Sequence, residues 1–280
     1  MRFRTFSLLL LTLAALGVGR AQETLVEKTL LEIRERQRQV FARAEQEGEH
    51  LDEARLRAEV KSLTDSYDVL LQKAPDFTLA YVSYAELLGR IGMVKEAVAM
   101  LLKANRLDPN LPRVKSQIAK HLAEDGKLPD ALPWAVAAVD LAPKEPVYHL
   151  NLGLLLVEGR DDFIKTGLFT RDAIDKALLE AFQRAAALAP DNIAYAYRAA
   201  EAYGDLERPR WEDAIKAWGE LEERVAPGLE RQTIRLQAAN AMIKAGKPDH
   251  ARAVLNSVDD PRLAAPKQTL LDQLAAKAEN

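Results

Sequence analysis

Four histidines, His50, His121, His149 and His250, are the chain's only imidazoles, and none stands at a spacing that builds a metal site. His121 and His149 fall on neighbouring predicted helices and could meet, yet two imidazoles are fewer ligands than a bound metal requires. The pairs Asp161-Asp162 and Asp259-Asp260 are the next candidates. Acid-base catalysis needs two carboxylates set across a pocket in environments that split their pKa values, and a stack of alanine-packed helices offers no evident cleft of that kind. The chain has no cysteine, which excludes disulfides, thiolate metal sites and thiol catalysis. It has no Gly-rich phosphate loop, no GxSxG elbow and no HExxH helix. The sequence therefore predicts no catalytic residue, no metal and no cofactor, and points to binding.

Binding surfaces have to be positioned by elements, and a periodicity shows which elements these are. Pro75, Pro109 and Pro143 lie 34 residues apart, each at the end of an apolar helical run. The same step relates Ala85, Ala119 and Gly153; Leu88, Leu122 and Leu156; Gly92 and Gly126; Ala97 and Ala131; and Ala104 and Ala138. Self-similarity at this period is the mark of stacked helical repeats. Ala85, Ala119 and Gly153 are small where two helices must come close, and Tyr84, Ile118 and Leu152 beside them fill the neighbouring groove. Gly92 and Gly126 end a first helix and can take the left-handed cap. Ala97 and Ala131 open the buried face of a second helix, and each proline then turns the chain out of it.

These residues resemble the tetratricopeptide repeat family, whose pattern runs W-x2-L-G-x2-Y, then A-x3-F, then P. Residues 78 to 111 match it with Tyr81, Tyr84, Ala85, Leu88, Ala97, Leu101, Ala104 and Pro109. Residues 112 to 145 match with Ile118, Ala119, Leu122, Ala131, Ala135, Ala138 and Pro143, with Lys115 where an aromatic is usual. A third unit keeps Leu152, Gly153 and Leu156, but its second helix comes late, from Ala177 to Leu188 with Phe182, Ala185 and Pro190. Pro143 and Pro190 are 47 residues apart, which predicts an insertion over about 158 to 171. A fourth unit (Ala199, Ala200, Tyr203, then Trp211, Ala214, Trp218) and a fifth (Ala238, Ala239, Met242, then Gly246, Ala251, Leu255) are degenerate. The resemblance covers most of the chain. It implies an all-α, right-handed superhelical solenoid of about five helix-turn-helix units.

In that family the first helices line a concave face that commonly holds an extended peptide or a partner's helix. Carried to this chain, the resemblance implies a groove showing Val82, Glu86 and Arg90, then Arg113, Ser116 and Lys120, then Val147, Leu150 and Leu154, followed by Tyr197, Glu201, Leu236 and Asn240. A basic centre beside an aliphatic patch would suit an acidic segment with an apolar anchor. The same charges could instead be solvated helix positions offsetting Glu86 and Glu124. The insertion carries Phe163, Ile164, Leu168 and Phe169, which either reach toward a partner or fold back onto the solenoid. Val82 and Glu86 stand where the family's chaperone-tail clamp needs Lys and Asn, so that subtype is not expected. Trp211 and Trp218, on one predicted helix, read as core.

At the N-terminus, Arg2 and Arg4 precede the apolar run Ser7 to Gly19, and small residues at Gly19 and Ala21 follow. These are the three regions of a secretory signal peptide, with cleavage expected after Ala21. The run is short for a bilayer span, and no cysteine is present for lipid attachment. Export to the periplasm or beyond the cell is the expected address. A hydrophobic fraction of 48% and a charged fraction of 29% suit a folded chain rather than a disordered one. The net charge of -3 becomes more negative once Arg2, Arg4 and Arg20 leave with the leader, which disfavours a nucleic-acid partner.

The expected organisation is a leader over 1–21, an N-terminal helical hairpin over 22–75, a repeat array over 76–262 and a capping helix over 263–280. The stripe Val26, Leu30, Ile33, Val40 and Ala44 gives the hairpin a long first helix, with a dimerising coiled coil as the rival reading. The functional expectation is an exported, non-enzymatic scaffold that holds a protein or peptide on its concave face. A structural subunit of an envelope assembly, secretion or motility complex is the alternative, and a hydrolytic enzyme a third that no motif supports.

Overall fold

The computed structural model describes residues 5–167 and 169–278, and the side chains of residues 25–167 and 169–276. Among the described residues every regular element is a helix. The expected leader, with its cleavage point at Ala21, lies outside the residues whose side chains are described, as does Leu168 of the insertion. In chain order the α-helices are α1 (Thr5–Glu47), α2 (Glu53–Lys73), α3 (Thr78–Arg90), α4 (Val94–Leu107), α5 (Pro112–Glu124), α6 (Leu128–Leu141) and α7 (Pro146–Glu158). They continue with α8 (Arg160–Lys165), α9 (Arg171–Leu188), α10 (Ile193–Asp205), α11 (Trp211–Arg224), α12 (Leu229–Lys244), α13 (Pro248–Asn256) and α14 (Ala264–Ala278). Packing divides the chain into two units, one ending at His121 and one beginning at Leu122.

The core follows from one buried triplet repeated along the second helices, at spacings of four and then three that place all members on one helical face. In the first unit it is Leu63, Tyr67 and Leu70 on α2 and Ala97, Leu101 and Ala104 on α4. In the second it is Ala131, Ala135 and Ala138 on α6, Leu178, Phe182 and Ala185 on α9, Ala214, Trp218 and Leu221 on α11, and Ala251, Leu255 and Val258 at α13. All of these are at most 4% exposed, so each second helix drives one stripe into the core. The N-terminal hairpin therefore carries the same stripe as the repeats that follow it.

The helix ends repeat as well. Gly92, Gly126 and Gly246 have φ of 79°, 72° and 74°, the left-handed region that favours glycine. Beside them the N–H groups of Met93, Lys127 and Lys247 donate to the carbonyls of Leu88, Leu122 and Met242, at 2.9, 2.8 and 2.9 Å, which closes each first helix with the same capping motif. The second helices stop at Ala74, Asp108, Ala142 and Ala189. Each of these precedes a proline, whose ring pushes the preceding residue out of helical geometry.

The third repeat breaks the pattern where Arg160 takes the place that Gly92 and Gly126 hold in their repeats. Without a left-handed turn there, the chain runs on through Gly159 (φ -88°) into the short α8. Arg160 pairs with Asp175 of α9 at 3.0 Å, and Phe163 is buried, so α8 is docked onto its own unit. Thr170 then caps α9 by accepting from the Ala173 N–H, and the helix starts at Arg171 rather than at the expected Ala177.

Candidate functional site

In the second unit α10, α11 and α12 surround a pocket of about 440 Å³. That is within the roughly 300–1,000 Å³ usual for ligand sites. Its walls carry Arg198, Glu201 and Asp205 from α10, Trp211 and Trp218 from α11, and Gln237 and Asn240 from α12. Asn192 starts α10 by accepting from the Tyr195 N–H, and spacings of three and four then place Arg198, Glu201 and Asp205 on one face of that helix. A Cβ at Gly204 would stand 2.9 Å from Cζ3 of Trp211, so glycine lets that indole come close. The close approach of that indole forms one wall.

The Arg198 guanidinium is held on three sides. It lies 4.1 Å from the centroid of the Phe182 ring, donates to Asp205 at 2.6 Å, and stands 3.8 Å from Glu201. Burial raises the pKa of Glu201, Arg198 opposes that shift, and the like charge of Asp205 adds to it. Tyr197 sets its ring edge against Trp218, with centroids 4.7 Å apart. Burial pushes its phenol pKa up, and the neighbouring Glu201 does so further. The result is a polar pocket with aromatic walls, one cation committed to the protein and two carboxylates.

The residues that sequence reading selected fall in several places. Tyr197 is half-buried against Trp218, Glu201 and Asn240 line the pocket, and Leu236 belongs to the core beneath α12. Val147 and Leu154 are exposed on α7 and Leu150 is half-buried, which leaves an apolar stripe on that helix. In the first unit Val82 is 7% exposed, so it is a core residue rather than a groove residue, since α3 is buried on nearly every side. Glu86 is half-buried, accepting from Gln117 at 3.2 Å and pairing with Arg113. Arg90 pairs with Glu45 of α1 and stacks 4.1 Å over the Phe41 ring. Two cations of the expected basic centre are thus matched by carboxylates of the same unit. Ser116 is half-buried and Lys120 exposed.

Phe163 is buried at 1%, which places it in the core instead of over a groove; Phe169 is 39% exposed and packs edge-on to Phe163, with ring centroids 6.3 Å apart. His149 Nε2 lies 2.9 Å from the Pro143 carbonyl, where in the first unit the Tyr81 hydroxyl donates to the Pro75 carbonyl at 3.0 Å. This is a structural position. His121 packs against Gly89, where a Cβ would meet its ring at 2.5 Å. Among the described residues no group of three or more His, Cys, Asp or Glu is arranged to hold a metal. Trp218 is core, as expected, whereas Trp211 is half-buried at the pocket.

Sequence reading missed Arg198 and Asp205. Arg198 stands 47 residues after Asn151 and Asp205 47 after Glu158, neither of which is among the groove positions the resemblance implied, so the repeat register did not point to them.

No protein-family model matches this sequence, and neither does any curated protein. Solved structures do share its fold. One is a tetratricopeptide repeat protein from Parabacteroides merdae, 12% identical, with a TM-score of 0.54 and 88% of each chain covered. Another is Pseudomonas aeruginosa pilF, 14% identical at a TM-score of 0.54, covering 89% of this chain and all of that one. A third is PilW, described as a widely conserved type IV pilus biogenesis factor, 15% identical at 0.54, covering 76% of this chain and 91% of that one. The fold is an all-α repeat of tetratricopeptide type.

Proposed function

We propose that this protein is an exported scaffold that binds a protein or peptide partner on its first-helix faces and does no chemistry of its own. One observation carries the reading. The described cavity that combines charged, amide and indole side chains is walled by the first helices α10 and α12 together with α11. The exposed Val147 and Leu154 of α7 add an apolar surface of the kind a partner's side chains cover. Export rests on the pattern of residues 1–21. Among the described residues no helix is long and apolar enough to cross a membrane.

Probing an array of immobilised random peptides with the purified protein tests this. Wild type should retain a reproducible subset, Asn240→Arg and Leu154→Glu should lose members of it, and Lys216→Glu on the exposed face of α11 should lose none. Failure of wild type to retain any peptide, or indifference of the subset to all three changes, overturns the reading. A second reading, a fixed subunit of an envelope assembly, draws on the fold shared with a pilus biogenesis factor. It predicts co-purification at constant stoichiometry rather than reversible peptide binding.

A further inference from the structure

We propose that the pocket between α10, α11 and α12 takes a cationic side chain, lysine or arginine, from an extended segment of the partner. The inference rests on the scaffold reading and specifies the chemistry of that site.

Three charged side chains line the pocket, one positive and two negative. The positive one cannot swing out to meet a ligand without leaving its partners, because Arg198 is 16% exposed, stacked on Phe182 and bonded to Asp205. Asp205 is matched by that bond. Glu201 is matched only loosely, since its nearest cation, Arg198, stands at 3.8 Å, an ion-pair contact beyond hydrogen-bond reach, and its side chain is 40% exposed. An ammonium or guanidinium group entering the pocket supplies the charge-assisted donor that Glu201 lacks. The half-buried indole of Trp211 gives the entering cation and its alkyl stem an aromatic surface to lie against. Asn240 offers both an amide donor and an acceptor to the segment's backbone.

The same lining argues against other ligands. A carboxylate or phosphate would face Glu201 and Asp205 with Arg198 already committed. A hard metal ion would find two carboxylates, one of them engaged. The cavity is larger than one side chain, which leaves room for flanking residues of the segment.

Binding of capped short peptides, identical except for a central Lys, Arg, norleucine or Glu, measured by tryptophan fluorescence and calorimetry, tests the proposal. The Lys and Arg peptides should bind at least about tenfold more tightly than norleucine, Glu should bind weakest, and n-butylamine alone should bind at least about tenfold more weakly than the Lys peptide. Glu201→Gln should remove most of the Lys preference while leaving norleucine affinity unchanged, and Glu201→Lys should turn the preference toward the Glu peptide. Equal binding of Lys and norleucine peptides, a Lys preference that survives Glu201→Gln, or n-butylamine binding as tightly as the Lys peptide overturns the proposal and leaves the scaffold reading standing. If no peptide of the series or the array binds, the scaffold reading falls and takes the proposal with it.

Discussion

Burial disfavours the ionised form of Glu201, so its pKa lies above the ordinary carboxylate value in the folded chain. For an acid shifted upward, the folded state binds the proton more tightly than the unfolded one. Its ionisation therefore destabilises the fold above the raised pKa, and the penalty disappears as pH falls below the unfolded value. Glu201→Gln removes the titration. The variant should show a higher thermal midpoint than wild type at pH 7 and no advantage at pH 4, read by circular dichroism. A difference that grows toward low pH would contradict the assignment. A residue that destabilises the empty protein yet lines its pocket is the pattern expected of a binding group rather than a structural one.

At the scale of the element, the capping glycines and the contact glycines should respond differently. Gly126 and Gly246 hold left-handed backbones with nothing within 4 Å of an added Cβ, so alanine there strains only the backbone. Each change should cost about 1 kcal/mol in urea unfolding. Alanine at Gly153 has a helical backbone to suit it, but its Cβ would stand 2.6 Å from Cε1 of the fully buried Phe182. About 1–3 kcal/mol is expected from that overpacking, and the double variant with Phe182→Leu should recover part of it. Leu101→Ala, in the centre of the α4 triplet, should cost about 2–5 kcal/mol by leaving a cavity.

Legibility in the sequence also divides at this scale. Ala97, Leu101 and Ala104 stood out before Pro109 because the triplet and its proline are local signals. The early start of α9 did not, because Thr170 as a cap outweighs the period that pointed to Ala177. Val82 was misplaced because its position in the repeat is a groove position, whereas α1 runs beside α3 in the first unit, with Phe41 and Glu45 at Arg90. Arg198 and Asp205 escaped because their places in the repeat, those of Asn151 and Glu158, lie outside the groove positions the resemblance implied. Glu201 and Asn240, which line the pocket, are groove positions that the repeat resemblance implied.

For the molecule as a whole, repeats that touch only their neighbours couple by proximity along the chain. Leu255→Ala, in the last triplet, should speed amide exchange in α12, α13 and α14, which pack together, and leave α7 unchanged. Equal acceleration in α7 would mean that the second unit opens only as a whole. The fold shared with other tetratricopeptide structures sets the architecture. On the proposed reading the partner is set by the side chains on the first helices, and it is there that the central claim is exposed to test.

The most direct test is site-specific photocrosslinking in the native cell, with the photoreactive residue placed in turn at Asn240, Leu154 and Lys216. The scaffold account predicts discrete protein adducts from Asn240 and Leu154 and none from Lys216 on the outer face of α11. Adducts of equal yield from Lys216, or none from the first-helix positions, would contradict it.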